Sequence, residues 1–286
     1  MPRFVCPECR TDLLETGAER FACAQCGHVF DRRAGVWRFL TPSRGAVLEP
    51  FVRQDRIVRQ REGRRSSAPE YYRALPSVAS GDPRAGDWQL RRETYRHLLG
   101  HVLAIGPSPL RVLDLGAGTG WLSHRLATLG HQPVAVDAID DDTDGLGATR
   151  HYTTGFAAVQ ADFNALPFAP NQFDLAVFNG SLHYAADAEA TLAQAHASLA
   201  SGGALVVMDS PMFSADDDAV AMPVRTPPLT TGASLTFARL AVIAEKLALQ
   251  PQFVPSRGPF GWRLRRASAR VTQRRAPAAF GLWVAR

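Results

Sequence analysis

Lysine is almost missing from this chain of 286 residues: Lys246 stands alone among 32 cationic side chains, and the others are arginine. Guanidinium suits bidentate anion contacts better than ammonium does. Cysteine is absent beyond residue 26, so no disulfide framework can run through the rest of the chain. No apolar run approaches the roughly 20 residues that span a bilayer, and no signal-peptide core precedes the first cysteine. A cytoplasmic protein with no membrane partner is therefore expected. Hydrophobic residues make up 46% and charged residues 21%, a balance that excludes a disordered or fibrous chain.

Acidic residues are missing altogether from 251–286, which hold eight arginines. Residues 1–100 hold 18 arginines against 12 acids, whereas 101–250 hold six cations against 15 acids. Two basic flanks thus surround an acidic middle. Such flanks suit phosphate binding or simple solvation of the surface, and charge alone leaves both open.

The cysteines form two pairs, Cys6-Pro7-Glu8-Cys9 and Cys23-Ala24-Gln25-Cys26, with thirteen residues between them. Each pair lets two thiolates reach one ion from a tight turn, and together they supply the tetrahedral sulfur set that suits zinc. Disulfides would need an oxidising compartment, and a redox motif would need only one pair. About 40 residues bury too little apolar surface to fold alone, a deficit that a structural zinc ion removes. His28 adjoins the set as a bystander. Residues 10–15 and 19–22 are predicted to form a small hairpin. The following segment, Val29 to Leu40, resembles the end of the zinc ribbons of the tRNA-methyltransferase activator family and of large-subunit rRNA guanine methyltransferases. That resemblance implies a ribbon over residues 1–40.

Residues 41–85 read as a linker and lid, rich in Arg, Ser, Gly and Pro, with one short helix near 47–60. Tyr71 and Tyr72 fit ordinary packing or a cover over a site. Asp87 is placed to cap a helix running through His101. Its stripe Trp88, Arg91, Arg92 and Tyr95 is mixed aromatic and cationic, and Tyr71, Tyr72, Arg91 and Tyr95 become candidates for binding a substrate.

The most informative segment runs Leu113-Asp114-Leu115-Gly116-Ala117-Gly118-Thr119-Gly120-Trp121. An aliphatic strand enters a glycine-rich turn and then a helix. Glycine belongs where backbone turns tightly and approaches a ligand without a Cβ in the way, and amides at a helix N-terminus receive a carboxylate as readily as a phosphate. Dinucleotide enzymes use G-x-G-x-x-G; here the spacing is G-x-G-x-G, with Trp121 where the third glycine would fall. Asp114 suits a ligand with a positive amino end and would repel a pyrophosphate.

This loop resembles motif I of the class I S-adenosylmethionine-dependent methyltransferases (type 11-like), and the order of features downstream is similar as well. A strand at 133–136 ends at Asp137, which the resemblance assigns to the ribose hydroxyls. A strand at 157–161 ends at Asp162-Phe163, and Asp162 to Phe168 is similar to the family's adenine-binding segment. Phe173 to Asn179 reads as the fourth strand, and Ser201-Gly202-Gly203 as the turn into the fifth. The implied fold is α/β: a Rossmann-like seven-stranded mixed sheet with helices on both faces over 86–286, plus the small ribbon. The implied cofactor is S-adenosyl-L-methionine, held by Asp114, Gly116, Ala117, Gly118, Gly120, Trp121, Asp137, Asp162, Phe163 and Asn179, beside structural Zn²⁺ on Cys6, Cys9, Cys23 and Cys26.

A sulfonium methyl is a strong electrophile, so the enzyme mainly aligns the acceptor. Residues just past the fourth strand lie at the carboxyl edge, where open α/β sites form. There His183 is the candidate general base and Tyr184 the residue that positions the acceptor; Asp209, past the fifth strand, is a second candidate. Segments 66–87 and 211–232 could enclose a compact acceptor, so a small-molecule or secondary-metabolite acceptor is expected. The alternative is rRNA or tRNA held by the ribbon and by Arg263, Arg266 and Arg270 of an Arg-rich helix at 262–273. A third reading is a partner-binding protein that retains only the cofactor fold.

Overall fold

The computed structural model describes residues 1–62, 66, 68–104, 108–215, 234–258, 260, 263–264, 268 and 278–286. Five strands run parallel at its centre: β5 (Arg111–Leu115), β6 (Gln132–Asp137), β7 (Ala157–Gln160), β8 (Phe173–Asn179) and β9 (Leu199–Met208). They read as near-continuous Val, Leu and Ala runs because helices cover both faces of a parallel sheet. The last two strands, β10 (Pro251–Pro255) and β11 (Gly281–Ala285), join antiparallel beside β9.

The sheet has eleven strands, not the expected seven, in the order β1-β2-β3-β4-β7-β6-β5-β8-β9-β11-β10. The four additional strands are those of the cysteine-bearing segment: β1 (Leu14–Gly17), β2 (Arg20–Ala22), β3 (Val29–Arg33) and β4 (Val36–Arg38). β4 lies parallel to β7, with Val36 opposite Ala158 and Trp37 opposite Val159. Too small for a core of its own, this segment shares one: Phe4, Phe30, Trp37 and Phe39 are buried in the same cluster as Val159, Phe168 and Phe178. Phe4 sits 4.6 Å from Phe39 and 5.7 Å from Phe168, ring centre to ring centre.

The short helix expected near 47–60 within the linker is the middle of a 20-residue helix, α1 (Pro42–Arg61). Thr41 caps it, its hydroxyl accepting from the Arg44 amide at 3.5 Å. After α2 (Pro69–Ala74) comes α3 (Ala85–Leu98), which begins two residues before Asp87. Asp87 does not cap it; its carboxylate accepts from Arg84 at 2.7 Å. Helices α4 (Trp121–Thr128), α5 (Ala188–Ala197) and α6 (Phe237–Lys246) complete the layers. Gly202 and Gly203, expected in a turn, lie within β9, whose pairing with β8 slips between Phe173 and Leu175. Most of the Arg-rich segment at 262–273, Arg266 and Arg270 included, and most of the expected cover at 211–232 lie outside the described residues.

Candidate functional site

The glycine-rich loop leaves β5 at its carboxyl end. Gly116, Gly118 and Gly120 all have positive φ, at 71°, 54° and 75°. The Gly116 and Ala117 amides donate to the Val136 carbonyl at 2.8 and 3.0 Å, which folds the loop over β6. A Cβ on Gly116 would stand 2.2 Å from the Ser181 Cβ, so the loop closes directly on the turn after β8. A Cβ on Gly118 would meet nothing within 4 Å. Gly118 is thus the place where the loop opens and a ligand can approach backbone.

Asp137 is the hinge of this arrangement. Its Oδ2 accepts from the Gly118 amide at 2.7 Å and its Oδ1 from the Ile139 amide at 2.8 Å. Each oxygen keeps a lone pair, so the carboxylate can still receive a ligand hydroxyl. Burial holds its carboxyl above the ordinary range, with Ile139 and the Arg59 charge opposing. Asp114 is fully enclosed: Ser123 donates to Oδ2 at 2.8 Å, while Oδ1 has no partner. Burial pushes its carboxyl up to about 7 against the Ser123 donation. Asn179 is buried at the end of β8, and its Oδ1 is also without a partner. An open glycine cradle and the orphaned Asn179 oxygen at the end of β8 fit a ligand with amino and hydroxyl donors.

Asp162 lies past β7 and is buried. Its Oδ1 accepts from the Asn164 amide at 2.8 Å and side chain at 3.0 Å, and its Oδ2 pairs with Arg44 of α1 at 2.5 Å. Phe163 packs edge-on against Phe178 at 6.1 Å. Across the sheet edge, His183 Nδ1 is hydrogen-bonded to Ser210 Oγ at 3.3 Å, and Tyr184 lies between His183 and Phe51 of α1, at 4.1 and 5.4 Å. Asp209 sits beside them with φ 56°, its Oδ1 accepting from Thr94 at 2.7 Å and its Oδ2 unpartnered. Arg91 reaches this turn: a Cβ on Gly180 would be 3.2 Å from its guanidinium.

Three expected site residues have other roles. Trp121 is buried beneath the loop between Trp88 and Tyr95, at 6.0 and 5.9 Å, so it packs α4 on α3 instead of facing a cofactor. Tyr95 is taken up by the same contact. Tyr72 is fully buried, stacked on His151 at 4.7 Å, and donates to backbone carbonyls at Ser66 and Thr143; Tyr71 meets it edge-on at 5.6 Å. Aromatic spacing on a helix carries no information on which side is solvent.

The charge asymmetry also has an internal explanation. Arg38, Arg44, Arg56 and Arg59 pair with Asp140, Asp162, Asp141 and Asp144 respectively, the last two at 3.9 and 3.2 Å. Asp140, Asp141 and Asp144 of the loop after β6 are therefore paired, and part of the first basic flank neutralises the acidic middle. Sequence reasoning missed Arg44, Ser181 and Ser210, whose importance comes from contacts between distant elements.

In the cysteine cluster, all four sulfurs lie within 4.8 Å of one another. Cys6–Cys26 and Cys9–Cys23 sulfurs are 3.5 and 3.3 Å apart, and Cys9–Cys26 3.9 Å. Four thiolates about 2.3 Å from one zinc ion would stand roughly 3.8 Å apart, so the set fits that ion. Thr11 Oγ1 lies 3.1 Å from Cys9 Sγ and 3.2 Å from Cys23 Sγ. His28 Nδ1 is hydrogen-bonded to Cys26 Sγ at 3.1 Å, at the edge of the sulfur set.

Residues 112–203 match the methyltransferase domain family. The matched span runs from β5 into β9 and contains the loop, Asp137, Asp162 and His183. A malonyl-[acyl-carrier protein] O-methyltransferase of Methylococcus capsulatus is 31% identical over 118 residues, 41% of this chain and 43% of that relative. A ubiquinone/menaquinone biosynthesis C-methyltransferase of Shewanella oneidensis is 33% identical over 108 residues, 35% and 42% of the two chains. The chain thus spans less than half the length of these curated relatives. Magnesium protoporphyrin IX methyltransferase from Synechocystis PCC 6803 shares the fold, with 17% identity over 81% of this chain and 96% of that one, at a TM-score of 0.52.

Proposed function

We propose that this protein is an S-adenosylmethionine-dependent methyltransferase with a small-molecule acceptor. The observation that carries the reading is the cradle at Gly118, open on its ligand side and fixed from behind by Asp137 at 2.7 Å. Bound there, the cofactor would supply a methyl group activated by its sulfonium charge. Asp137 would hold its ribose hydroxyls, Asp162 and Phe163 would bound its adenine, and Asn179 and the Asp114 side of the loop would face its amino end. Asp114 acts from beneath the loop, through the field of a buried carboxyl, because no part of it reaches the surface.

His183 and Tyr184 stand at the carboxyl edge beyond this cradle. His183 is hydrogen-bonded through Nδ1 to Ser210, which fixes the ring plane, and its imidazole would take a proton from an acceptor. Tyr184 and Arg91 bound the same opening and would orient the acceptor. The two relatives named above act, by name, on an acyl-carrier-protein-linked malonyl group and in quinone biosynthesis, which supports a small or carrier-linked acceptor. Arg38, Arg44 and Arg59 serve internal carboxylates, so these three arginines of the first basic flank offer little to RNA. The cysteine set would hold structural zinc. Among the described residues, no helix is long and apolar enough to cross a membrane.

Calorimetry with S-adenosylhomocysteine tests the reading. Wild type should bind it and Asp137→Ala should not; a wild type that fails to bind would overturn the proposal.

A further inference from the structure

The first zinc knuckle reaches past its own segment. Glu8 lies between the two ligands Cys6 and Cys9, and its Oε1 accepts from Thr41 Oγ1 at 2.5 Å and Ser43 Oγ at 2.6 Å. These hydroxyls form the cap and first turn of α1, one residue before Arg44, which holds Asp162 at 2.5 Å. Arg10 follows Cys9 with φ 65°, and its backbone amide donates to the Cys6 carbonyl at 2.9 Å. Its guanidinium donates to the Leu166 and Phe168 carbonyls, the latter at 2.9 Å. The Val5 amide donates to the Pro167 carbonyl between them at 3.0 Å. One knuckle therefore clamps the segment from Asp162 to Phe168 from two directions: through α1 onto Asp162, and directly onto its distal carbonyls.

We infer that Glu8 and Arg10 are positioning residues for the adenine wall, so that metal loading of the cysteine set governs cofactor affinity. This rests on the methyltransferase reading, which makes the segment from Asp162 to Phe168 that wall. A cation bound by four thiolates ties the two cysteine turns into one rigid unit. Removing the ion frees residues 6–10, and both clamps lose their anchor together. The cysteine-bearing segment then acts as the outer part of the cofactor site, not as a hand for a distant partner. Its strands add a second tie, because β4 is hydrogen-bonded to β7 immediately before Asp162.

The test combines zinc analysis, calorimetry with S-adenosylhomocysteine and hydrogen exchange at the Leu166, Phe168 and Ala169 amides. Glu8→Ala and Arg10→Lys should each retain one zinc per chain, with affinity about tenfold weaker, as expected for loss of a charged hydrogen bond. Arg10→Lys keeps the cation but cannot bridge two carbonyls, so exchange at 166–169 should rise. Glu8→Gln keeps an acceptor oxygen and should recover most of the affinity, which a general packing defect would not allow. Treatment of the wild type with a chelator should weaken binding by more than either variant does. Zinc-loaded variants that bind as tightly as wild type, with unchanged exchange, would overturn the inference. If Glu8→Ala sheds its zinc, the Arg10→Lys comparison decides. Should wild type bind no S-adenosylhomocysteine while Arg10→Lys still raises exchange at 166–169, the methyltransferase reading fails and the mechanical coupling stands.

Discussion

Replacing Gly116 by alanine tests the closest contact in the site. The residue has φ 71°, where an L side chain costs about 1–2 kcal/mol. Its new Cβ would stand 2.2 Å from the Ser181 Cβ and 2.7 Å from the Ser181 Oγ, far inside the roughly 3.5–4.0 Å of a normal carbon contact. Forcing such an overlap typically costs about 1–3 kcal/mol. Gly116→Ala should therefore destabilise by about 2–5 kcal/mol, a large share of the roughly 5–15 kcal/mol that holds a domain folded. Ser181→Gly removes the opposing Cβ, at the cost of the Ser181 hydroxyl bond to the Leu115 carbonyl at 2.6 Å. The double variant should then be about 1–3 kcal/mol more stable than the two single effects would sum to. Urea denaturation of all four proteins measures this coupling. A coupling within about 0.5 kcal/mol of zero would refute the claim that the loop closes on Ser181.

Three further outcomes follow from the same geometry. The Asp114 carboxyl is raised from 3.8 to about 7, so the unliganded protein should lose stability as pH rises between those values. The slope should approach about 1.4 kcal/mol per pH unit, and Asp114→Asn should flatten it in thermal melts; an unchanged profile would exclude this carboxyl as the source. Stripping metal with a chelator should lower the melting temperature, and zinc should restore it. With an acceptor in hand, His183→Ala should slow turnover by about 10²–10⁴-fold while S-adenosylhomocysteine affinity stays within twofold; equal losses in both would assign His183 to cofactor binding.

The glycine loop and the cysteine pairs were legible in the sequence because backbone conformation and metal chemistry restrict residue type and spacing locally. G-x-G-x-G admits few alternatives where three positive φ values fall within five residues. The middle of the α1 helix, near 47–60, was legible, but its length and its docking were not. Among its residues only Leu48 and Asp55 are buried, so no apolar stripe announces it, and its hold on the domain comes from arginines whose partners lie some 85–118 positions away. Trp121 misled for a related reason: its place in the loop was clear, but the side chains awaiting it on α3 were not. The strand count was short by four because nothing in Val36-Trp37-Arg38 states that its partner is β7.

That pairing has a bearing on how the chain reaches its native state. Val36 waits for Ala158, about 120 residues later, and pairing at such range is slow because a long loop must close before any contact rewards it. Until then β7 is a bare edge of parallel strand, and such edges recruit other chains. The early segment meanwhile leaves Phe4, Trp37 and Phe39 uncovered, since these rings are buried only in the shared core. Metal captured early would keep this half of the sheet folded and prevent it from pairing with a neighbour's β7. Refolding without zinc should accordingly yield aggregates whose proportion grows with protein concentration.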